Sequence, residues 1–398
     1  MSGNGTLAED GRAELEALAR AEAAHAALHP GDRIGRQPVH TVYGGAHLYK
    51  AESAQRLGEL ARASLERHAP DPATLAHAIG LDDPALAERV YARVVAKLER
   101  EPVEDQRIDF EDGFGVRSDV EEDEQASRTA REVARAMKDD RLPRSIGIRI
   151  KPLTIESAPR AVRTLELFVS TLVAEAGALP PGFVVTLPKI AIPEQPRTLV
   201  RLFEALERRL SLPAGALRME MMVELPQAIV AADGRHQLPI LLAACEGRCT
   251  GAHFGTYDFT AGADVTAACQ TMDHPIAEAG LVAMRLALSG RGVFLSDGAT
   301  TQMPVGSTDS VHAAWRVMVR NVRRSLALGF YQGWDLHPAQ LVARYAATGQ
   351  GLLNTMLRGA ESGAFDEAEL AAAGLTLAEV RTRSFTQILS GRREQGTR

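Results

Sequence analysis

Two carboxylates sit where apolar runs end. Glu224 follows the run MEMMV and precedes Leu-Pro-Gln, and Asp258 lies in GTYDF, one apolar run later. A carboxylate in such a place is not needed for folding, and a buried one without a partner costs several kcal/mol or stays protonated. A metal ion removes that cost. If the two runs are adjacent parallel strands, both acids reach one cation. Ligation by a few oxygens suits Mg²⁺, which keeps several waters and leaves positions for a substrate; Mn²⁺ is acceptable on the same grounds. The competing account is two solvated loop acids.

Other charged groups mark neighbouring runs. Asp109, Glu111 and Asp112 crowd the end of RIDFED, and three acids so close repel unless cations share the space. Glu111 and Asp112 are placed to contact a metal through its waters or to orient a basic residue; Asp109 alternates with them and points either into the interior or away. Arg149 in SIGIRIKP can grip a carboxylate with two parallel hydrogen bonds, or pair with the acids of the preceding run. Lys189 in LPKI is a cation beside a substrate's negative charge, a Schiff-base amine, or the partner of a neighbouring acid. His337, between Leu336 and Pro338, and His40, His47, His253, His274 and His312 are read first as structural. Asp297 in SDG is a plain turn signal. Cys245 and Cys249 are spaced to share one helical face, and free thiols are favoured over a metal site or disulfide.

The elements that must position these groups alternate. Eight apolar runs read as strands: Pro38 to Gly45, Arg107 to Phe110, Ser145 to Ile150, Phe183 to Leu187, Arg218 to Val223, Gly251 to Phe254, Gly292 to Leu295 and Gly329 to Leu336. Ala/Leu/Arg-rich stretches of helical spacing separate most of them, including one split near Gly234 and a long loop before His274 to Leu288. Strand and helix in alternation imply parallel strands, and eight units imply an α/β fold of the (β/α)8 TIM barrel type, with its active site at the strand ends. We expect an N-terminal helical extension over 1–36, a catalytic barrel over 37–350 with a helical insertion at about 70–104, and a C-terminal helical tail over 351–398. Within the insertion, Asp82 or Asp83 can cap a helix running from Pro84 to Arg100.

The chain has 398 residues, is 45% hydrophobic and carries a formal charge of −6, with no basic stripe. That argues against nucleic acid as a partner. No signal-type segment and no apolar stretch of membrane length is present, so the expectation is a cytoplasmic protein without a membrane partner.

Taken in order, these motifs resemble the superfamily of citrate lyase beta subunits and HpcH/HpaI-type aldolases, with malate synthases and malyl-CoA lyases as relatives. Glu111-Asp112 in DFED look like its LED motif, Arg149 like its third-strand arginine, and Lys189 in LPKI like its LPK. Glu224 in VELPQA stands where the family usually has Glu-Thr-Pro or Glu-Thr-Ala, Asp258 in FGTYDFT matches G-x-x-D-[LF], and GFYQGWDLHPAQ resembles GFDGKxxIHPxQ. The resemblance implies a Mg²⁺-dependent carbon–carbon lyase that cleaves or forms a hydroxy-oxo acid or hydroxyacyl-CoA, the cation stabilising an enolate. Glu224 and Asp258 would hold the metal. Arg149, Glu111, Asp112 and Lys189 would be catalytic. Arg149, Gly255, Thr256 and His337 would contact the substrate. A homotrimer or hexamer is implied as well.

The chain also departs from that pattern. PVHTVYGGAHLY replaces the family's Arg-Ser-x-Leu-x-x-Pro strand, and ARYAATGQGLLNTML replaces the Phe-Ser-Pro lid segment that helps hold coenzyme A. A free acid and a CoA thioester therefore both stay open as substrates. The alternatives are a malate synthase-like condensing enzyme, an acyl-CoA thioesterase, and a non-catalytic barrel subunit.

Overall fold

The computed structural model describes residues 10–31, 33 and 36–348. The tail expected over 351–398 lies outside them. Eight strands close into one all-parallel barrel in chain order. They are β1 (His40–Gly45), β2 (Asp105–Asp109), β3 (Ser145–Arg149), β4 (Val184–Leu187), β5 (Arg218–Val223), β6 (Cys249–Phe254), β7 (Phe294–Ala299) and β8 (Gln332–Asp335).

The strands' outward residues pack on the helices. Ile108, Ile148, Val185 and Met221 join Phe168, Val169, Leu199 and Phe203 in one buried core. Period-2 alternation turns the other face inward, and here the interior is ionic. Arg107 is fully buried and bonds Asp105 and Glu220, its Nη2 lying 2.6 Å from Glu220 Oε1. Tyr43, Met222, Ala299 and Trp334 form a small apolar layer in the same barrel.

The expected insertion holds two helices rather than one. Pro72–Ile79 is capped by Asp71, and Pro84–Arg100 by Asp83, with proline at the first position each time. Their apolar faces (Leu75, Ile79, Val94, Leu98) meet Trp315, Met318, Leu341 and Tyr345 in a second core. Lys97 and Arg36 bind Glu104, each at 2.5 Å, which ties the insertion to the foot of β2.

Three local expectations change. β7 runs on to Ala299, so Asp297 is a buried strand residue, accepting from Ser325 Oγ at 2.5 Å, and not a turn. Cys245 ends the helix Leu238–Ala244 while Cys249 opens β6, so the two thiols share no helical face. Part of the long loop after β6 is a helix, Thr256–Gly262.

Candidate active site

The site forms where β2 to β6 end. β5 ends at Val223 and delivers Glu224, 1% exposed, onto the turn after β6. The turn begins with Gly255. A Cβ there would lie 2.5 Å from Glu224 Cβ and 2.9 Å from its Oε2, so only glycine lets the carboxylate in. The helix Thr256–Gly262 starts next and carries Asp258 in its first turn, with 43% of its side-chain surface open.

The loop after β4 turns sharply at Lys189, whose φ is 50°, in the left-handed region. Two contacts hold that bend. The Lys189 N–H donates to Glu224 Oε1 at 2.6 Å, and the Gln195 side chain accepts from the Ala191 and Ile192 amides at 2.8 and 3.1 Å. The bend sends the ammonium into a ring of acids. Nζ lies 2.6 Å from Glu111 Oε1, 3.0 Å from Asp258 Oδ2, 3.7 Å from Asp112 Oδ2 and 3.8 Å from Glu224 Oε1.

Arg149 closes the other side. Asp109 takes its Nε and Nη2 at 2.7 and 2.5 Å, and Nη1 faces Glu111 and Asp112 at 3.1 and 3.4 Å. Its guanidinium lies over the Tyr43 ring, 5.1 Å from the centroid. Asp109 also accepts the Glu111 and Gly113 amides at 2.9 and 2.7 Å, so one carboxylate fixes both the arginine and the acidic loop.

Charge in this cluster is uneven. Burial pushes the Glu224 carboxyl up to about 8, against the pull of Lys189. Burial also raises Glu111, against Arg149 and with the help of Asp112. Burial opposes ionisation of Asp258 too, but its hydrogen bond from Lys189 holds it below the usual range. Burial works against the charged form of Lys189, yet Glu224 and Glu111 hold its amine well above the ordinary lysine value. One ammonium thus serves several carboxylates and leaves Glu224 short of positive charge.

That shortage is what a divalent cation supplies. Glu224 and Asp258 offer oxygen only, and Glu111 Oε2 is buried with no hydrogen-bond partner. The donor set fits Mg²⁺, which needs few protein ligands. Among the described residues no group of three or more His, Cys, Asp or Glu side chains forms a ready cage. Between these two acids stands the Lys189 ammonium, 3.0 Å from Asp258 Oδ2 and 3.8 Å from Glu224 Oε1.

A family model described as a domain of unknown function, DUF6986, matches residues 18–349. The chain belongs to the DUF6986 family. None of the curated proteins matches the sequence. Solved structures with a similar fold include Haloferax volcanii malate synthase in a lead(II) complex, at 13% identity over 79% of this DUF6986 chain and 74% of that one, TM-score 0.52. The native form of that enzyme at 3 mM glyoxylate aligns at 15% identity over 85% and 88%, TM-score 0.51. A citrate lyase from Burkholderia xenovorans aligns at 18% identity over 85% and 87%, TM-score 0.49. At these identities the two malate synthase alignments show a shared barrel fold.

In this DUF6986 barrel, six of the residues named from sequence meet: Glu111, Asp112, Arg149, Lys189, Glu224 and Asp258. Gly255 serves by having no side chain. Thr256 is buried beside the cluster, its Oγ1 without a partner. His337 stands apart: its Nδ1 accepts the Ala339 amide at 3.2 Å, and among the described residues it bonds none of the acids. Tyr43, Gln195 and Trp334 were not named for the site; Asp109 was named in the acidic cluster with its direction left open, and it turns to Arg149. Trp334 packs on Tyr43 with the rings tilted by 34° and centroids 4.6 Å apart, and its buried Nε1 has no hydrogen-bond partner. The spacing Asp105, Arg107, Asp109 was the available signal for Asp109, because period-2 charge along a strand means an ionic inner face.

Proposed function

We propose that this DUF6986 protein makes or breaks a carbon–carbon bond in a small hydroxy or oxo acid, free or as a CoA thioester, with a divalent cation held by Glu224 and Asp258. The observation that carries the reading is the convergence of Glu111, Asp112, Glu224 and Asp258 on one cation, the Lys189 ammonium, beside Arg149. When bound, Mg²⁺ would supply an electrophile for negative charge that develops on substrate oxygen.

The chain's own groups supply the rest. Arg149 is locked by Asp109 and presents Nη1 toward the cluster, where it can bind a carboxylate or carbonyl oxygen. Cleaving a hydroxy acid takes a proton from its hydroxyl, breaks the adjacent carbon–carbon bond and returns a proton to the enolate carbon. Glu111, raised toward neutrality and set between Lys189 and Arg149 at 2.6 and 3.1 Å, is suited to hold and pass that proton. Lys189 and Arg149 lie beside it to stabilise the enolate oxygen. Trp334 Nε1 and Thr256 Oγ1 are buried groups left for substrate oxygens.

The barrel shared with malate synthase, one of whose structures was obtained with glyoxylate, supports testing condensation alongside cleavage. Purified protein with Mg²⁺, glyoxylate and acetyl-CoA would be followed for free thiol, and a panel of hydroxy-oxo acids for released pyruvate. Product in either assay, abolished by a chelator, supports the proposal. Silence in both across the panel counts against it.

A further inference from the structure

The opposite end of the barrel holds a large cavity, of about 770 Å³, that the candidate site does not use. It is ringed by the starts of the strands, from Asp105 and Ser145 through Val184, Arg218 and Thr250 to Phe294 and Gln332. Its volume is in the range of small-molecule sites, and such sites combine apolar walls with a few directed polar groups. The walls here are Leu179, Pro180, Pro181, Phe183, Leu212 and Phe294.

The charge on the lining is unbalanced. Its acids are already satisfied: Glu104 by Lys97 and Arg36 at 2.5 Å each, and Asp105 and Glu220 by the buried Arg107. Arg144 reaches Glu101 at 2.8 Å. Arg33 and Arg218 have no carboxylate partner among the described residues. Arg33 lies against the Phe294 ring, 5.4 Å from its centroid. Burial and the like charge of Arg218 work against its charged form and together outweigh the weaker pull of Glu220, so the two guanidiniums repel across a partly dry space. An anion between them would relieve that repulsion, and a guanidinium fork matches carboxylate and phosphate oxygens.

We propose that this lower mouth is a second binding site, distinct from the carboxylate cluster, for a small organic anion whose phosphate or carboxylate is held by Arg33 and Arg218 and whose apolar body lies against Phe183, Phe294 and the Pro180–Pro181 turn. The site stands apart from the catalytic reading and survives if that reading fails.

Calorimetric titration of the full chain with phenyl phosphate and with benzoate tests it, since the two probes share an apolar body and differ in the anion. One of them is expected to bind at a single site with a Kd below about 1 mM, and the tighter one identifies the anion. Arg218→Met and Arg33→Met should each weaken that binding about tenfold or more, while thermal melts report an intact fold. Arg218→Lys keeps the charge but not the fork, and should fall between the native protein and Arg218→Met. Oxalate with Mg²⁺, aimed at the other end, should not displace the probe. No binding of either probe up to about 10 mM, binding unmoved by both methionine variants, or full displacement by oxalate with Mg²⁺ would overturn the proposal.

Discussion

Gly255 and Glu224 occupy nearly the same space: a methyl group on the glycine would lie 2.5 Å from the glutamate's Cβ. Neither residue is a neighbour of the other in sequence. The contact comes from β5 and β6 lying side by side with Val223 opposite Phe254. Gly255→Ala should displace Glu224 by a fraction of an ångström, cost about 1–3 kcal/mol in stability from overpacking, and lower Mg²⁺ affinity at least about tenfold. Thermal melting and metal titration on the same preparation check both effects. Unchanged metal affinity would mean that Glu224 is not a ligand.

Among the described residues, Asp109 is the only acid that grips Arg149 with both of its oxygens. It also ties down the Glu111 and Gly113 amides. Asp109→Asn leaves a buried guanidinium with a poorer partner and should destabilise the fold by about 3 kcal/mol. Substrate-analogue affinity should fall with it, since Arg149 loses its fixed direction. Oxalate titration and chemical unfolding of the variant measure the two losses, and loss of stability alone would confine Asp109 to a structural role.

Lys189 cannot easily act as an amine nucleophile. Its ammonium donates to Glu111 at 2.6 Å and Asp258 at 3.0 Å, and those acids hold its proton tightly. Borohydride reduction in the presence of pyruvate should therefore leave the protein's mass unchanged. A mass increase of one trapped pyruvate at Lys189 would contradict the metal-dependent reading directly.

Glu224 gives the pH dependence its sign. Burial raises its carboxyl from the ordinary 4.5 to about 8 in the folded chain. The folded state then keeps a proton that the unfolded state has released. The stabilisation is full below the unfolded value and is lost as pH rises through about 8. Metal-free protein should melt progressively lower across that window, and Glu224→Gln should flatten the trend. Mg²⁺ needs the ionised carboxylate, so its affinity should climb by up to about tenfold per pH unit until about pH 8 and level off above it.

The barrel was legible because each strand is an apolar run that stops at charged residues, and β5 from Arg218 to Val223 matches its sequence reading residue for residue. What the sequence hid follows from the same signal. In MEMMV, Glu220 lies inside an apolar run and gives no warning that it faces Arg107 across the barrel. The helix that carries Asp258, TYDFTAG, is built from weak helix formers and reads as loop. Asp297 sits in Ser-Asp-Gly, which imitates a turn although β7 runs through it. The acids and the arginine of the cluster were identifiable by position at strand ends. Lys189 was named with them, pairing with a neighbouring acid being one of its three readings; its place as their common centre was not legible, because it depends on a backbone bend at φ 50° that no pattern announces.

The most direct test of the central claim is calorimetric titration of Mg²⁺ into the native protein, Glu224→Gln and Asp258→Asn at one pH. The account predicts a single site in the native protein and a loss of affinity of about a hundredfold in each variant, because each removes one of two carboxylates from a shared cation. Native-like Mg²⁺ binding in either variant would contradict it.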